Sequence, residues 1–313
     1  MGRYVIKRLL FTIIVLFGVA VVIFTILSLT PGSPVRSILG LNATPERIAE
    51  LEHRLGLDKP FYQRFFEYIF GLLHGDLGTS YITNQPVGPE IMSRFRPTLL
   101  LAISSIILSS VVGILVGVIS AVRQYSLLDD VSTITALVIS AVPAFWLGMI
   151  LVFGLSVKMK LLPPGGIGSW KNYVLPTLAL GLTTSASIMR ITRSTMLETV
   201  RMDYIRTARA KGASEKQVIF VHALKNALLP IITVLGTTFG TLLGGTVVIE
   251  VLFGMPGLGN YLINSILKKD MPAVMSTGLF LSALFCIIML IVDLLYAFID
   301  PRIKAKYMRR SKS

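Results

Sequence analysis

The chain has 313 residues, of which 53% are hydrophobic and only 15% charged, and its mean hydropathy is +0.75. Charge that sparse cannot cover the surface of a soluble protein of this size, and the apolar residues fall in long blocks, which argues against a large soluble core. A formal charge of +14 would suit a nucleic-acid binder, but the basic residues lie between the apolar blocks, as in a basic membrane protein with no nucleic-acid partner.

The first apolar block runs from about Leu9 to Leu29, behind Arg3, Lys7 and Arg8. It is longer than the roughly 7–15 apolar residues of a cleaved signal peptide, and no small-residue cleavage site precedes Pro31-Gly32, so it reads as a first membrane span. Residues 31–97 follow, with helix-like stretches at Thr44–Leu55 and Pro60–Leu73; Thr44 before Pro45 looks like an N-cap with proline in the first turn. Further spans are predicted near Thr98–Val122, Val131–Val157, Val174–Met189, Leu229–Phe253 and Val274–Ile299, the fourth being short and rich in small polar residues. In lipid each must be a helix, because its backbone polar groups have no water to bond. The fold class is therefore an all-α integral membrane protein of about six spans. It divides into residues 1–30 (tail and first span), 31–97 (an extracytoplasmic segment), 98–300 (a five-helix core with a cytoplasmic loop at 190–228) and 301–313 (a basic tail).

With both termini inside, the cytoplasmic side collects 18 of the 30 lysines and arginines, and most of the other 12 lie in the long 31–97 segment, where such counting matters least. His53, His74 and His222 show no metal-ligand spacing, and the single cysteine, Cys286, lies inside an apolar run, so no internal disulfide is possible. No G-x-x-x-x-G-K-[ST] run occurs, so nucleotide is not hydrolysed here by a phosphate loop. The chain reads as having no catalytic site, no metal and no cofactor of its own.

The 190–228 loop is the most informative stretch. Residues 194–211 hold no proline or glycine and suit a helix; Gly212 stands where a left-handed C-terminal cap belongs, and Ser214 with Gln217 forms a capping box for a second helix. A loop that only obeys charge topology needs no such structure, so this one is suited to docking a partner.

Asp203-Tyr204-Ile205-Arg206-Thr207-Ala208-Arg209-Ala210-Lys211-Gly212 resembles the EAA loop of bacterial binding-protein-dependent ABC importer permeases, and more narrowly that of the dipeptide, oligopeptide and nickel branch. Arg206-Thr207-Ala208 stands where Glu-Ala-Ala is usual, and Lys225 where a later proline is usual; both departures resemble that branch. Tyr4-Val5-Ile6-Lys7-Arg8, Gly75-Asp76-Leu77-Gly78-Thr79-Ser80, Phe253-Gly254-Met255-Pro256-Gly257-Leu258-Gly259, Lys269-Asp270-Met271-Pro272 and Asp300-Pro301-Arg302 are similar to its other signatures, in order. The resemblance implies a pore-forming subunit in the bacterial inner membrane, with a second homologous permease, two ATPases carrying ATP and Mg, and an extracytoplasmic binding protein. It implies a coupling helix seated in a cleft of the ATPase. Asp203, Tyr204 and Thr207 belong to that loop, with Arg206, Arg209 and Lys211 as polar contacts, and Ala208 and Gly212 as points of close approach. Di- or oligopeptides are the expected substrate, with nickel, metal chelates and glutathione as alternatives.

Inside the spans, Gly236, Gly240 and Gly244 line one face of the fifth helix, and Gly113 and Gly117 one face of the second. Such faces let helices approach closely, either within this chain or against a second permease. Thr237, Thr238 and Thr241 could face a translocation path or bond back to their own helix. Glu250 and Asp293 are the only ionisable residues deep in spans, and so few of them counts against a self-contained secondary transporter.

Overall fold

The computed structural model describes residues 2–40 and 43–299. Asp300-Pro301-Arg302 and the basic tail lie outside them. The described residues form helices α1 (Gly2–Leu29), α2 (Pro34–Leu39), α3 (Pro45–Arg54), α4 (Phe61–Leu73), α5 (Val87–Val122), α6 (Leu127–Ala141), α7 (Ala144–Leu151), α8 (Lys171–Val200), α9 (Asp203–Ala210), α10 (Glu215–Gln217), α11 (Leu224–Gly245), α12 (Val247–Leu252), α13 (Leu258–Leu267) and α14 (Met271–Ile299). Wider π-helical turns extend α7 over Val152–Lys158 and join α10 to α11 over Val218–Ala223. Among the described residues five helices are long and apolar enough to cross a membrane, and six when the bent α6–α7 pair counts as one.

Several predicted bounds change. The third span is not one helix: α6 and α7 are bent by 98°. Pro143 has no N–H to continue the ladder, and Val142 before it is pushed to an extended conformation. The fourth span is longer than Val174–Met189, because α8 continues to Val200 as a mostly enclosed helix. The fifth begins earlier, since α10, the π-helical turn and α11 form one continuous run over Glu215–Gly244, and it stops near Thr246 rather than at Phe253. Thr44 stands at the N-cap of α3 with Pro45 in the first turn, but its hydroxyl makes no capping hydrogen bond.

The chain forms two compact units. The first comprises residues 1–98 and 256–287. Its core joins Ala20 and Phe24 of α1 to Phe65 of α4 and to Met271, Met275 and Leu279 of α14. Phe24 meets Phe61 and Phe65 edge to face, with ring centroids 5.0 and 5.2 Å apart.

The second unit comprises residues 99–255 and 288–313. Here α8 packs against α6, α7 and α11. Half of its apolar window is buried, against 11% for α1, so it tolerates threonines and serines that lipid would penalise. The close approach of α5 depends on Gly113 and Gly117. A Cβ at Gly117 would lie 2.6 Å from the Thr192 Cβ and 2.8 Å from the Met189 carbonyl oxygen, and one at Gly113 would lie 2.8 Å from the Ser185 carbonyl oxygen. In α11, Gly236 packs on Val292 of the same chain, Gly240 is buried, and Gly244 is exposed with open space around it. Gly117→Val is expected to lower thermal stability in detergent by overpacking, at a cost of about 1–3 kcal/mol. Gly244→Ala meets nothing within 4 Å and is expected to leave the melting curve unmoved or slightly raised. Light-scattering melts of the two variants compare them directly.

Candidate functional site

The stretch predicted as one helix over 194–211 is two, because α8 ends at its C-cap Arg201 and Met202 leaves helical geometry before α9. Met202 is extended (φ −71°, ψ 148°), and its carbonyl accepts from the Ile205 N–H at 3.0 Å, starting α9 at once. Asp203 in the first turn suits the positive end of the helix dipole.

Only one side chain of α9 is fully enclosed. Ile205, with 0% exposure, enters a cluster made by Val118 and Ala121 of α5, Met196 of α8, Val218 and Ala223 of the π-helical turn, and Ala227 and Ile231 of α11. Ala208, one turn on, packs against the same cluster. Its methyl is half-buried there. Tyr204, Arg206, Thr207, Arg209 and Lys211 are exposed, and partial burial pushes the Tyr204 phenol pKa up. The Thr207 hydroxyl donates to the Asp203 carbonyl at 3.0 Å.

The end of α9 matches its sequence closely. Gly212 has φ +83°, its N–H donates to the Arg209 carbonyl, and the Ala213 N–H donates to the Ala208 carbonyl, the paired bonds of a Schellman cap. A Cβ at Gly212 would meet nothing within 4 Å, so within this chain backbone conformation is what calls for glycine there. The Ser214 and Gln217 capping box forms with both reciprocal bonds. Arg209 binds Glu215 in bidentate fashion at 2.8 and 3.2 Å across the turn, which raises the arginine pKa.

Sequence reasoning missed what holds this region from above. Asp129, buried in the first turn of α6, is gripped by Arg193 of α8 at 2.6 and 2.8 Å. It also accepts from the Ser120 hydroxyl and from the Tyr125 N–H at 3.0 Å. Arg193 lies one helical turn before Met196, which touches the Ile205 cluster. Arg193 had been counted only as a positive charge near the membrane, since the predicted fourth span ended at Met189. The one local clue was Ser126, whose hydroxyl accepts from the Asp129 N–H and caps α6.

In the first unit two separately noted motifs meet. The hydroxyl of Ser80 and the N–H of Tyr81 both reach the buried Asp270 carboxylate, the second at 3.0 Å. The Leu77 carbonyl accepts from the Ser276 hydroxyl at 2.6 Å, and Asp76 accepts from the Gly78 N–H at 2.8 Å. Gly75-Asp76-Leu77-Gly78-Thr79-Ser80 is thus a turn that clasps the start of α14. In the second unit Phe253 accepts from the Gly166 N–H at 2.7 Å. The Thr246 hydroxyl donates to the buried Glu250 carboxylate at 3.0 Å, a partner that the sequence did not reveal. Thr237 and Thr241 bond back to the carbonyls of Thr233, Val234 and Thr238 of their own helix.

Residues 113–305 match the family of binding-protein-dependent transport system inner membrane components, and residues 1–102 match its N-terminal companion. The chain belongs to this permease family. It is the permease subunit of an ABC importer, a multi-span helical membrane protein. The glutathione transport system permease protein GsiC of Escherichia coli K12 is 42% identical over 306 residues, covering 98% of this permease and 100% of GsiC. The protein of the same name from Salmonella choleraesuis SC-B67 is 43% identical over the same coverage. A crystal structure of an amino acid ABC transporter with histidines shares the fold, with a TM-score of 0.51 over 68% of this permease and 94% of that chain, at 17% identity.

Replacing Asp129 by Asn leaves Arg193 without its carboxylate. The permease is expected to lose about 3–5 kcal/mol of stability, the cost of breaking a buried ion pair, whereas replacing both residues by apolar ones recovers most of it. Thermal melts of the two single variants and the double variant decide between this and a dispensable surface pair.

Proposed function

We propose that this permease moves glutathione or similarly short peptides inward, and that α9 is the coupling helix through which ATP binding on partner subunits drives the movement. The single observation that carries the coupling role is the seating of Ile205: α9 is fastened to α5, α8 and α11 on one face while its basic and polar face is left open. The substrate class rests on full-length similarity to the glutathione permeases. Glutathione, like a short peptide, is a chain of amide-linked amino acids, and the similarity to its permeases favours this class over nickel.

In this reading both termini and α9 are cytoplasmic, and residues 31–97 lie outside with the binding protein. A second, homologous permease completes the pathway, and two ATPase subunits hydrolyse the ATP. Arg206 and Lys211 are exposed cations of the docking face, with Tyr204, Thr207 and Asp203 beside them, whereas Arg209 braces the turn through Glu215. Gly236, Thr237, Gly240, Thr241 and Gly244 belong to the packing seam and border of the pathway. Nucleotide shifts the permease between inward and outward states only as far as its affinity for the two states differs.

Gly212 separates docking from folding. Any L-residue there carries the left-handed backbone cost of about 1–2 kcal/mol, but only a large one adds bulk to the docking face. Gly212→Ala is expected to retain the ATPases and most uptake, and Gly212→Trp to reach the membrane yet lose the ATPases on affinity purification. Normal assembly and transport by Gly212→Trp would refute the coupling role. For the substrate, proteoliposomes holding the complete importer are offered labelled glutathione, dialanine and Ni²⁺ with the cognate binding protein; uptake of Ni²⁺ alone would overturn the peptide assignment.

A further inference from the structure

Two cavities adjoin within the first unit and share Arg64, Tyr81 and Met271 in their walls. The larger, about 520 Å³, is lined chiefly by apolar side chains: Ile23, Ile26 and Leu27 at the end of α1, Leu262 and Ile266 of α13, and Val274 of α14. The smaller, about 310 Å³, is polar, with His53, Arg54, Lys59, Glu67 and Tyr68 in its wall. Both volumes are of the size that takes a small ligand, roughly 300–1,000 Å³.

The charges are unequal. Arg54, Lys59, Arg64 and Lys269 stand against Glu52 and Glu67. Lys59 is spent on Glu67, at 2.8 and 2.9 Å, and Lys269 rests on the Pro31 carbonyl. Glu52 accepts from the Ser33 hydroxyl at 3.2 Å. Arg64, at the junction of the two cavities, is half-buried and meets neutral groups: the Met271 sulfur at 3.2 Å, the neighbouring Tyr81 hydroxyl and the Phe24 ring at 5.8 Å. Among the described residues it forms no ion pair. A guanidinium so placed offers its fork of donors to a phosphate.

The apolar cavity also opens where a lipid chain could enter. Ile26 lines it and is still 59% exposed, on the face that α1, a membrane-spanning helix, turns outward. An apolar recess, a phosphate-seeking arginine and a polar, net-positive chamber thus follow one another in the order of the parts of a phospholipid.

We propose that the paired cavities bind one anionic phospholipid, with an acyl chain against Ile23, Ile26 and Leu27, its phosphate on Arg64 and its headgroup in the polar chamber beside Arg54. The net positive wall selects an anionic headgroup over a zwitterionic one, whose ammonium would meet Arg54. Such a lipid ties the end of α1 to α13 and α14. The inference rests on the membrane-spanning character of the chain and on neither the substrate nor the coupling role, so it stands or falls apart from them.

Native mass spectrometry of the full-length, delipidated protein, titrated with dioleoyl phosphatidylglycerol or dioleoyl phosphatidylcholine, tests it. One phosphatidylglycerol per chain is expected to be retained about tenfold more tightly than phosphatidylcholine, equivalent to about 1.4 kcal/mol. Arg54→Gln is expected to remove that preference, Arg64→Gln to weaken retention of both lipids with Arg64→Lys keeping part of it, and Ile26→Trp, which fills the recess, to weaken both lipids as well. Leu10→Trp, on the exposed part of α1 away from the cavity, serves as the unaffected control. Glycerol phosphate, which has no chain, is expected not to compete. Equal retention of the two lipids, indifference to both Arg64→Gln and Ile26→Trp, or full competition by glycerol phosphate would each overturn the proposal, the last by reducing the site to one for a free anion.

Discussion

Helix α8 lies against α5 because Gly113 and Gly117 have no side chains to hold the two apart, and much of the second unit follows from that contact. A helix enclosed by neighbours need not be uniformly apolar, and α8 carries Ser185, Thr192, Thr195 and Thr199 in buried positions. Enclosure also lets it carry Arg193 one turn before Met196, with the guanidinium fixed on Asp129 rather than reaching for water. The same side of the unit then presents Met196, Val118 and Ala121 to Ile205. The placement of α9 therefore rests on the packing of spanning helices, not on the exposed loop itself.

The first unit is organised by a buried carboxylate. Asp270 takes hydrogen bonds from Ser80 and Tyr81, and its own carbonyl accepts the Val274 N–H at 3.0 Å as α14 begins. Removing one partner from a buried carboxylate leaves its lone pairs unsatisfied, which costs more than the bond itself contributes. That asymmetry explains why a glycine-rich turn and the short loop that carries Asp270, about 190 residues apart in sequence, come as a matched pair.

What could be read from sequence was what local chemistry decides. The existence of the spans follows from apolar length, and the left-handed Gly212 and the Ser214 capping box follow from residues within one turn of each other. Pro143 was visible, but a proline states that a ladder is broken, not that the two halves bend by 98°. The far end of α8 was misread because its charged and small residues look like a loop when their enclosure is unknown. The Asp129–Arg193 pair spans 64 positions and the Ser80–Asp270 bond 190, and no periodicity reports contacts of that range. The buried face of α9 was hidden for a related reason: it is fixed by Ile205, and which face of so short a helix is buried depends on the cluster it meets.

If α9 transmits movement, its mechanical quality matters more than its affinity for a partner. Eight residues form too little helix to be stable alone, since isolated helices shorter than about 12–15 residues are marginal in water. Three attachments supply the stiffness: Ile205 within the cluster, the Schellman turn at Gly212, and the Arg209–Glu215 bridge. On both sides the connections are short. Arg201 and Met202 alone separate α9 from α8, and the turn at Lys211–Ser214 leads into α10 and on through the π-helical turn to α11 without a break. A displacement of α9 has little slack in which to be absorbed, so it must appear in α8 and α11 together. The arrangement asks the exposed face only to be gripped, while the direction of motion is set by the two long helices it joins.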